Sequence, residues 1–311
     1  MTLFAIVLAL ALEQLHALPV DRAVRAPTAR LAAFLEDKFN DGGAGHGAIA
    51  WGLGAALPAA LLSLAYAVLL AYQPLLGFLL AIGVLYLTVG FRQFSHFFTE
   101  IQLALRAGEL DEARRLLAQW RGRGGDRLGS GEVARLAIEQ ALVCSHRHVF
   151  GPLIWFAVLG PAGALFYRLC YVLDQQWGRR GEIEFGRFGD FARRAFEIID
   201  WLPLRLTATA FAVVGDFEDA VHCWRTQAVR WPEAGTGILL ASGAGALGVR
   251  LGMPVHDALT EAGDPGDRPE LGLGEDADPD FMQSTIGLVW RSLVLGLAVL
   301  ALVWVSGWVG G

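Results

Sequence analysis

Three long stretches of the chain consist almost entirely of apolar residues: Ala48–Tyr72, Pro74–Phe91 and Ile286–Val309. A fourth stretch, Val149–Leu173, contains Arg168 as its one charged residue. Each is at least 18 residues long, which is about the length that an α-helix needs to cross a hydrocarbon layer of roughly 30 Å. The pattern predicts an integral membrane protein whose spans are helices, because helices satisfy their own backbone polar groups in lipid.

Two further segments are apolar but interrupted. The first, residues 2–18, contains Glu13 and His16 and lacks a basic n-region or an obvious cleavage site, so we expect a retained span and not a signal peptide. The second, Ile198–Gly215, contains Asp200, Pro203 and Arg205. Since proline cannot donate the helical hydrogen bond and suits the first turn of a helix, we expect the helix to break at Pro203.

The expected fold is therefore all-α and polytopic, with four to six membrane segments in a single domain, 1–311. The candidate segments are residues 2–18, 48–72, 74–91, 150–173, a broken 196–215, and 286–309. Apolar residues at helical spacing predict amphipathic cytoplasmic helices in the insert 92–149. The acidic, proline- and glycine-rich residues 263–280 are typical of a flexible linker.

The distribution of basic residues also predicts how the protein is oriented in the membrane. The loops Pro19–Gly47 and Arg92–His148 carry four and nine Lys/Arg residues, which places them in the cytoplasm by the positive-inside rule. Five arginines in Gln175–Phe196 conflict with one intervening span. Either residues 150–173 form a hairpin broken at Gly160–Ala164, or these arginines depart from the rule. The net charge of −6 argues against a nucleic-acid partner and leaves the lipid bilayer as the expected one.

Charged residues inside the interrupted segment are the main candidates for chemistry. Arg194, Glu197, Asp200 and Arg205 lie close together in sequence, and ionisable residues at membrane depth indicate a functional site. The alternative is structural ion pairing at the membrane interface. The group Cys144, His146 and His148 does not converge on one helix face, so we predict no metal site there.

Several sequence segments resemble one membrane family with two branches. "MTLFAIVLALALEQL" at the start and "DWLPLRL" at 200–206 resemble AmpE. "LRAGELDEARRLL" (105–117), "LGPAGALFYRLCYVLD" (159–174), "AGALGVRLG" (244–252) and "RPELG" (268–272) resemble the CobD/CbiB branch. The AmpE resemblance implies a bacterial inner-membrane, multi-pass protein of cell-wall recycling and β-lactamase induction, linked to ampicillin resistance, with a cell-wall fragment as ligand.

The CobD/CbiB resemblance implies an enzyme of cobalamin biosynthesis. It implies ATP-dependent ligation of adenosylcobyric acid to aminopropanol or its phosphate, through an amide bond. Such chemistry uses ATP and Mg²⁺, with acidic side chains on the metal and cations on the phosphates. No cofactor is expected unless this alternative holds.

The acidic pattern of the synthase branch is incomplete in this chain. In its E-S-x-x-E-N-x-x-D run, Glu139 matches, but the second Glu, the Asn and the Asp fall on Val143, Cys144 and Arg147. The Asn of another family motif falls on Tyr171. The candidate ligand-binding residues that the resemblance retains are Glu139, Asp174, Arg194, Glu197, Asp200 and Arg205.

Because an arginine cannot replace a metal-binding carboxylate, we predict a non-catalytic, AmpE-type signalling or binding protein. The alternative is the corrinoid amide synthase. A third hypothesis, a transporter moving a polar solute past Pro203, has no inverted repeat to support it. The oligomeric state is left open.

Overall fold

The computed structural model describes residues 2–16, 26–122, 125, 127–180, 185–254 and 268–309. The chain is mostly helical, at 83%. The helices before residue 122 are α1 (Thr2–Leu15), α2 (Ala26–Phe39), α3 (Ala44–Trp51), a π-helical turn π1 (Gly52–Ala56), α4 (Leu57–Tyr72), α5 (Pro74–Thr88), α6 (Phe91–Arg106) and α7 (Leu110–Arg121).

The remaining elements include a small sheet. They are α8 (Ser130–Ser145), π2 (His146–Phe150), α9 (Gly151–Leu159), α10 (Pro161–Leu173), π3 (Asp174–Gly178), α11 (Asp190–Val214), α12 (Phe217–Thr226), a 3₁₀ turn (Ala228–Arg230), α13 (Ala234–Leu247), β1 (Val249–Gly252), β2 (Glu270–Leu271), β3 (Glu275–Asp276) and α14 (Pro279–Val309).

The chain divides into two compact units, while the single membrane domain stays a prediction. The first unit comprises Met1–Gln93 and Arg147–Pro203, and the second comprises Phe94–His146 and Leu204–Gly311. In the first unit, α5 packs against α1, α4 and α10. Its buried core includes Trp177 and Phe188, whose rings meet edge to face at 5.2 Å.

The second unit contains the one clear departure from an all-α fold among the described residues. Strand β1 pairs antiparallel with β2 and parallel with β3, giving the order β2-β1-β3. Gly248, with φ +66°, ends α13 in the left-handed conformation and releases the chain into β1. Strands β2 and β3 lie within the predicted linker 263–280, of which residues 263–267 are outside the described residues.

Among the described residues, three helical stretches are long and apolar enough to cross a membrane: Ala44–Tyr72, Ser130–Leu159 and Pro279–Ser306. Shorter apolar helices lie at Thr2–Leu15, Pro74–Thr88 and Ala234–Leu247. On α4, Leu57, Leu61 and Leu64 are exposed along one side at helical spacing. An apolar face of this kind favours contact with lipid. The structure supports a helical membrane protein, while the predicted count of four to six spans is not reproduced.

Residues 150–173 do not form one span. Helix α9 ends at Leu159, Gly160 adopts φ +66°, and α10 begins at Pro161. A Cβ at Gly163 would overlap the backbone carbonyl of Trp155, so glycine permits the close approach of the two helices. The hairpin alternative raised by the five arginines of 175–196 is therefore the one that the structure contains.

The predicted helix break at Pro203 is wrong, because α11 runs through it without interruption. Proline lacks the N–H that would bond to the carbonyl of Ile199, four residues earlier. The indole N–H of Trp155 donates to that carbonyl instead, at 3.2 Å. A side chain from α9 thus satisfies the acceptor that proline leaves open, and the helix continues.

Candidate functional site

Asp200, on α11, is a buried carboxylate with two partners in the first unit. Only 5% of its surface is exposed. Its Oδ1 accepts a hydrogen bond from the Tyr167 hydroxyl at 2.7 Å, and Nε of Arg147 lies 3.9 Å from Oδ2. A buried carboxylate is unfavourable unless it is both hydrogen-bonded and paired. The phenol and the guanidinium supply these two interactions.

Arg147 also contacts two aromatic rings. Its Cζ lies 5.4 Å from the ring centroid of Tyr171 and 4.9 Å from that of Phe196. Stacking of a guanidinium on aromatic faces is more favourable where water is excluded. We call Arg147, Tyr167, Tyr171, Phe196 and Asp200 the Asp200 cluster.

Local sequence explains how the Asp200 cluster assembles. Arg147 lies in π2, and π-helical turns of this kind occur often at functional sites. A Cβ at Gly151 would overlap the ring of Tyr167, so glycine at this position permits the phenol to approach α9. Tyr167 and Tyr171 are four residues apart on α10 and therefore share a face.

Other polar residues of the first unit are close in sequence to members of the Asp200 cluster. The Arg168 guanidinium contacts the imidazole of His148 and lies 5.9 Å from the Tyr171 ring centroid. Asp174, in π3, is buried and lies 3.5 Å from Nε of Arg179. Asp174 and Asp200, two of the predicted site residues, are thus both buried carboxylates with an arginine partner.

Glu139, on α8, is the corresponding buried carboxylate of the second unit. Its Oε1 accepts a hydrogen bond from the backbone N–H of Gly252 at 2.8 Å. Its Oε2 accepts a hydrogen bond from the guanidinium of Arg268. Both carboxylate oxygens therefore have donors, one from strand β1 and one from the segment that leads into β2.

The "RPELG" segment, residues 268–272, is held in place on both sides. Leu251 of β1 pairs with Leu271. The Gln227 side-chain amide exchanges two hydrogen bonds with the Gly272 backbone, at 2.6 and 3.2 Å. Gly272 has φ +92°, and a Cβ there would overlap the carbonyl of Val249. This backbone fixes the position from which Arg268 reaches Glu139.

Two more residues complete this site. Cζ of Arg268 lies 5.2 Å from the ring centroid of Trp231. Arg135 precedes Glu139 by one helical turn and donates to the carbonyl of Pro254 at 3.2 Å. We call Arg135, Glu139, Trp231, Gly252 and Arg268 the Glu139 cluster.

The candidate residues from the sequence are divided between the two units. Asp174 and Asp200 belong to the first unit, where Arg194 and Glu197 are exposed on α11. Arg205 is half-buried in the second unit, which also contains Glu139. The expected constellation of Arg194, Glu197, Asp200 and Arg205 was based on one helix, whereas the partners of Asp200 come from α10 and π2.

Sequence reasoning missed the residues that surround these carboxylates. Tyr167 and Arg268 were not singled out, and Arg147 was noted only as the replacement of an acidic residue. The i, i+4 spacing of Tyr167 and Tyr171 beside Arg168 was an available signal in the sequence. No comparable signal connects Arg268 with Glu139, because they are 129 residues apart.

The magnesium ion that the CobD/CbiB resemblance implies does not fit these side chains. Within the described ranges, no three His, Cys, Asp or Glu residues lie close enough to hold a metal ion together. Arg147 stands beside Asp200, and both oxygens of Glu139 already accept hydrogen bonds. The described side chains therefore do not form a site for a protein-held metal ion.

Comparison with known proteins places the chain in one family. A family model described as CobD/Cbib protein matches residues 5–289. A cobalamin biosynthesis protein CobD of Stutzerimonas stutzeri (strain A1501) is 39% identical over 90% of this chain and 89% of its own length. One from Chromobacterium violaceum is 36% identical over 74% of each chain, and one from Mycobacterium tuberculosis is 33% identical over 65% and 64%. No solved structure matches the chain.

These relatives overturn the main function predicted from the sequence. The non-catalytic AmpE-type role in cell-wall recycling and β-lactamase induction is wrong, because the matching proteins bear the name cobalamin biosynthesis protein CobD. The seven residues of "DWLPLRL" were a weaker guide than similarity along nine tenths of the chain. The alternative based on "AGALGVRLG" and "RPELG" is the better supported one.

Proposed function

This chain belongs to the CobD/CbiB protein family, and from that premise we propose that it is an amide synthase of cobalamin biosynthesis. The observation that carries the proposal is the 39% identity to a cobalamin biosynthesis protein CobD over 90% of the chain. The substrates are those that the family resemblance implies, namely adenosylcobyric acid, aminopropanol or its phosphate, and ATP.

The proposed reaction proceeds in two steps. The carboxylate of the corrinoid attacks the γ-phosphorus of ATP and forms an acyl phosphate, with ADP as the leaving group. The amine of the aminopropanol then attacks the acyl carbon, the C–O bond to phosphate breaks, and the amine loses a proton. The products are an amide, ADP and inorganic phosphate, so that no oxidant or reductant is needed.

We assign the buried carboxylates to substrate binding. Asp200 carries an oriented hydrogen bond from Tyr167 and a positive neighbour in Arg147, and these contacts hold its carboxylate in a fixed position. An acceptor of this kind suits the ammonium or amide groups of the substrates. Asp174 is proposed to act in the same way. Glu139, Arg194, Glu197 and Arg205 are further candidates around the ligand.

Arg147 gives this protein a different electrostatic character from the synthase pattern. That pattern has an aspartate where this chain has Arg147, so one metal-binding carboxylate is replaced by a cation. Arginine binds phosphate oxygens through its planar fork of donors. We propose that this chain relies on guanidinium groups, more than on protein-held metal ions, to offset phosphate charge.

The proposed location is the bacterial inner membrane, with several spans. Three apolar helices of 28 to 30 residues support it. The expected partners are the bilayer and a corrinoid. The chain also carries a net charge of −6, which disfavours binding to nucleic acid.

A genetic complementation experiment tests the proposed function. A bacterial strain lacking its own CobD is supplied with cobyric acid and aminopropanol under conditions where growth requires cobalamin. We expect this chain to restore growth, Asp200→Asn to fail, and the exposed control Glu218→Gln to succeed. Growth of every strain on added cobinamide shows that later steps are intact. Failure of the unmodified, membrane-inserted chain to restore growth would contradict the proposal.

A further inference from the structure

Arg135 is a buried cation with unusually weak partners. Only 7% of its surface is exposed. Its described interactions are a hydrogen bond to the Pro254 carbonyl at 3.2 Å and a carboxylate oxygen of Glu132 at 4.0 Å. Among the described residues, its Nε has no hydrogen-bond partner. Since a buried charge is unfavourable unless it is paired and hydrogen-bonded, an anion beside Arg135 would stabilise this arrangement.

The nearby acidic groups are engaged elsewhere. Glu139 accepts hydrogen bonds from Arg268 and Gly252. Glu132 accepts a hydrogen bond from the backbone of Gly129 at 2.8 Å, at the start of α8. Asp276, which also attracts Arg135, is paired with Arg250 at 2.8 Å. The two guanidinium groups of Arg135 and Arg268 thus share one buried carboxylate, and they repel each other electrostatically.

A phosphate group matches this surplus of positive charge. Guanidinium groups bind phosphate through parallel, charge-assisted hydrogen bonds. Lys38 is the only lysine among the 25 basic residues of the chain, so nearly all its strongly basic side chains are arginines. We propose that Arg135 and Arg268 together bind the phosphate of a phosphate-bearing substrate, an inference that rests on the proposed function and names two residues of its site.

The remaining members of the Glu139 cluster position this pair. Glu139 holds Arg268 from one side, and the Trp231 ring lies against the guanidinium. Glu139 also fixes β1 through Gly252. Glu139 is in this view a positioning residue whose carboxylate keeps one guanidinium in place, while Arg135 provides free donors. The phosphate itself can come from ATP or from the aminopropanol phosphate, which share this chemistry.

Direct binding measurements on the full-length protein in nanodiscs test the proposal. The probes are a non-hydrolysable ATP analogue and aminopropanol phosphate, with adenosine and aminopropanol as phosphate-free controls. The variants are Arg135→Gln, Arg135→Lys and Arg268→Lys. Arg250→Gln is the matched control, because Arg250 lies on β1 of the same sheet but pairs with Glu270 and Asp276.

We expect Arg135→Gln to weaken one phosphate probe roughly tenfold to a hundredfold, the range for a hydrogen bond between charged groups. Arg135→Lys and Arg268→Lys keep the positive charge but lose the planar set of guanidinium donors, so each should weaken binding of the phosphate probe less. Arg250→Gln should bind as the unmodified protein does. The probe that responds identifies the source of the phosphate. Protection of the unmodified protein, but not of Arg135→Gln, against thermal unfolding by pyrophosphate gives a second readout.

Two results would overturn the proposal. One is that the unmodified protein binds a phosphate probe and folded Arg135 variants bind it equally well. The other is that the unmodified protein binds neither probe. Turnover of the corrinoid by the same preparation decides the proposed function separately, so that a failed phosphate site is distinguishable from a failed synthase.

Discussion

In the Asp200 cluster and in the Glu139 cluster a carboxylate is buried beside an arginine. The other hydrogen-bond donor to the carboxylate differs between the two clusters. Asp200 receives a phenol hydroxyl and is surrounded by aromatic side chains. Glu139 receives a backbone N–H from β1. In the first cluster the contacts of Asp200 with Tyr167 and Arg147 are between side chains on helical segments, whereas the second connects a helix to a sheet.

The exposure of the arginines differs as well. Arg147 is almost completely buried, while the Arg268 side chain is 21% exposed. A partly exposed guanidinium can regain water if its carboxylate is lost, and a buried one cannot. The difference implies that the Asp200 cluster depends strictly on charge balance and that the Glu139 cluster can tolerate a neutral replacement.

The largest effect is expected from Arg147→Ala. This change leaves the Asp200 carboxylate buried without its counter-charge and should lower the free energy of unfolding by about 3–5 kcal/mol. Adding Asp200→Asn should recover much of the loss. Thermal and denaturant unfolding of the detergent-solubilised protein, followed by tryptophan fluorescence, measures both. A loss below about 1 kcal/mol for Arg147→Ala alone would show that Asp200 does not need its arginine.

Glu139→Gln should have a smaller effect, of about 1 kcal/mol. The amide oxygen can still accept from the Gly252 N–H, and Arg268 can turn its guanidinium to solvent. Glu139→Ala is the informative companion, because it also removes the acceptor of Gly252 and should destabilise more. If Glu139→Gln and Arg147→Ala proved equally destabilising under the same unfolding assay, the contrast between the clusters would be lost.

Trp155→Phe sharpens the comparison within the first unit, where a side chain donates the hydrogen bond that a backbone carbonyl of the helix would otherwise lack. It removes the donor to the Ile199 carbonyl and should destabilise by about 1 kcal/mol. The change Pro203→Ala supplies a backbone N–H to the same carbonyl. The double variant should therefore lose less stability than the sum of the single changes, as a double-mutant cycle measures. Simple additivity would mean that the indole does not replace the missing helical bond.

The smallest effect concerns Cys223, on α12 of the second unit. Burial raises the pKa of its thiol to about 11 from an ordinary value of 9.0. The folded state therefore holds this proton at pH values where the unfolded chain has released it, so stability falls as pH rises from about 9 to 11. Cys223→Ala should show a shallower loss of thermal stability between pH 8.5 and 10.5. Identical pH profiles would indicate an ordinary, accessible thiol.

Much of the fold followed from the hydrophobic pattern. Long apolar runs such as 48–72 and 286–309 contain enough information to predict helices of membrane length, because periodicity and length are local properties. The break at Gly160 also had a local signal in the sequence "GPAGA". The strands β1 to β3 are only two to four residues long, too short for alternation to be recognised.

The helix break predicted at Pro203 was wrong, and the partners of the buried carboxylates were missed, because both depend on interactions that sequence spacing does not reveal. Pro203 is a reliable helix breaker only where nothing replaces its missing hydrogen bond, and Trp155 is 48 residues away in the sequence. Asp200 and Asp174 are predicted as site residues because charge within apolar sequence is conspicuous. Arg135 and Arg268 lie in ordinary-looking polar segments, so that only the folded second unit identifies them as partners of Glu139.

We propose that this chain joins an amine to a corrinoid and converts ATP to ADP and phosphate in the same reaction. The most direct test adds adenosylcobyric acid, aminopropanol phosphate and ATP with magnesium to the purified protein in nanodiscs. The corrinoids are then separated by chromatography, and their masses are determined by mass spectrometry. We expect an ATP-dependent product with the mass of the amide, formed with one ADP per molecule. Unchanged adenosylcobyric acid after incubation with a folded, monodisperse preparation, with aminopropanol phosphate or with aminopropanol, would contradict the claim.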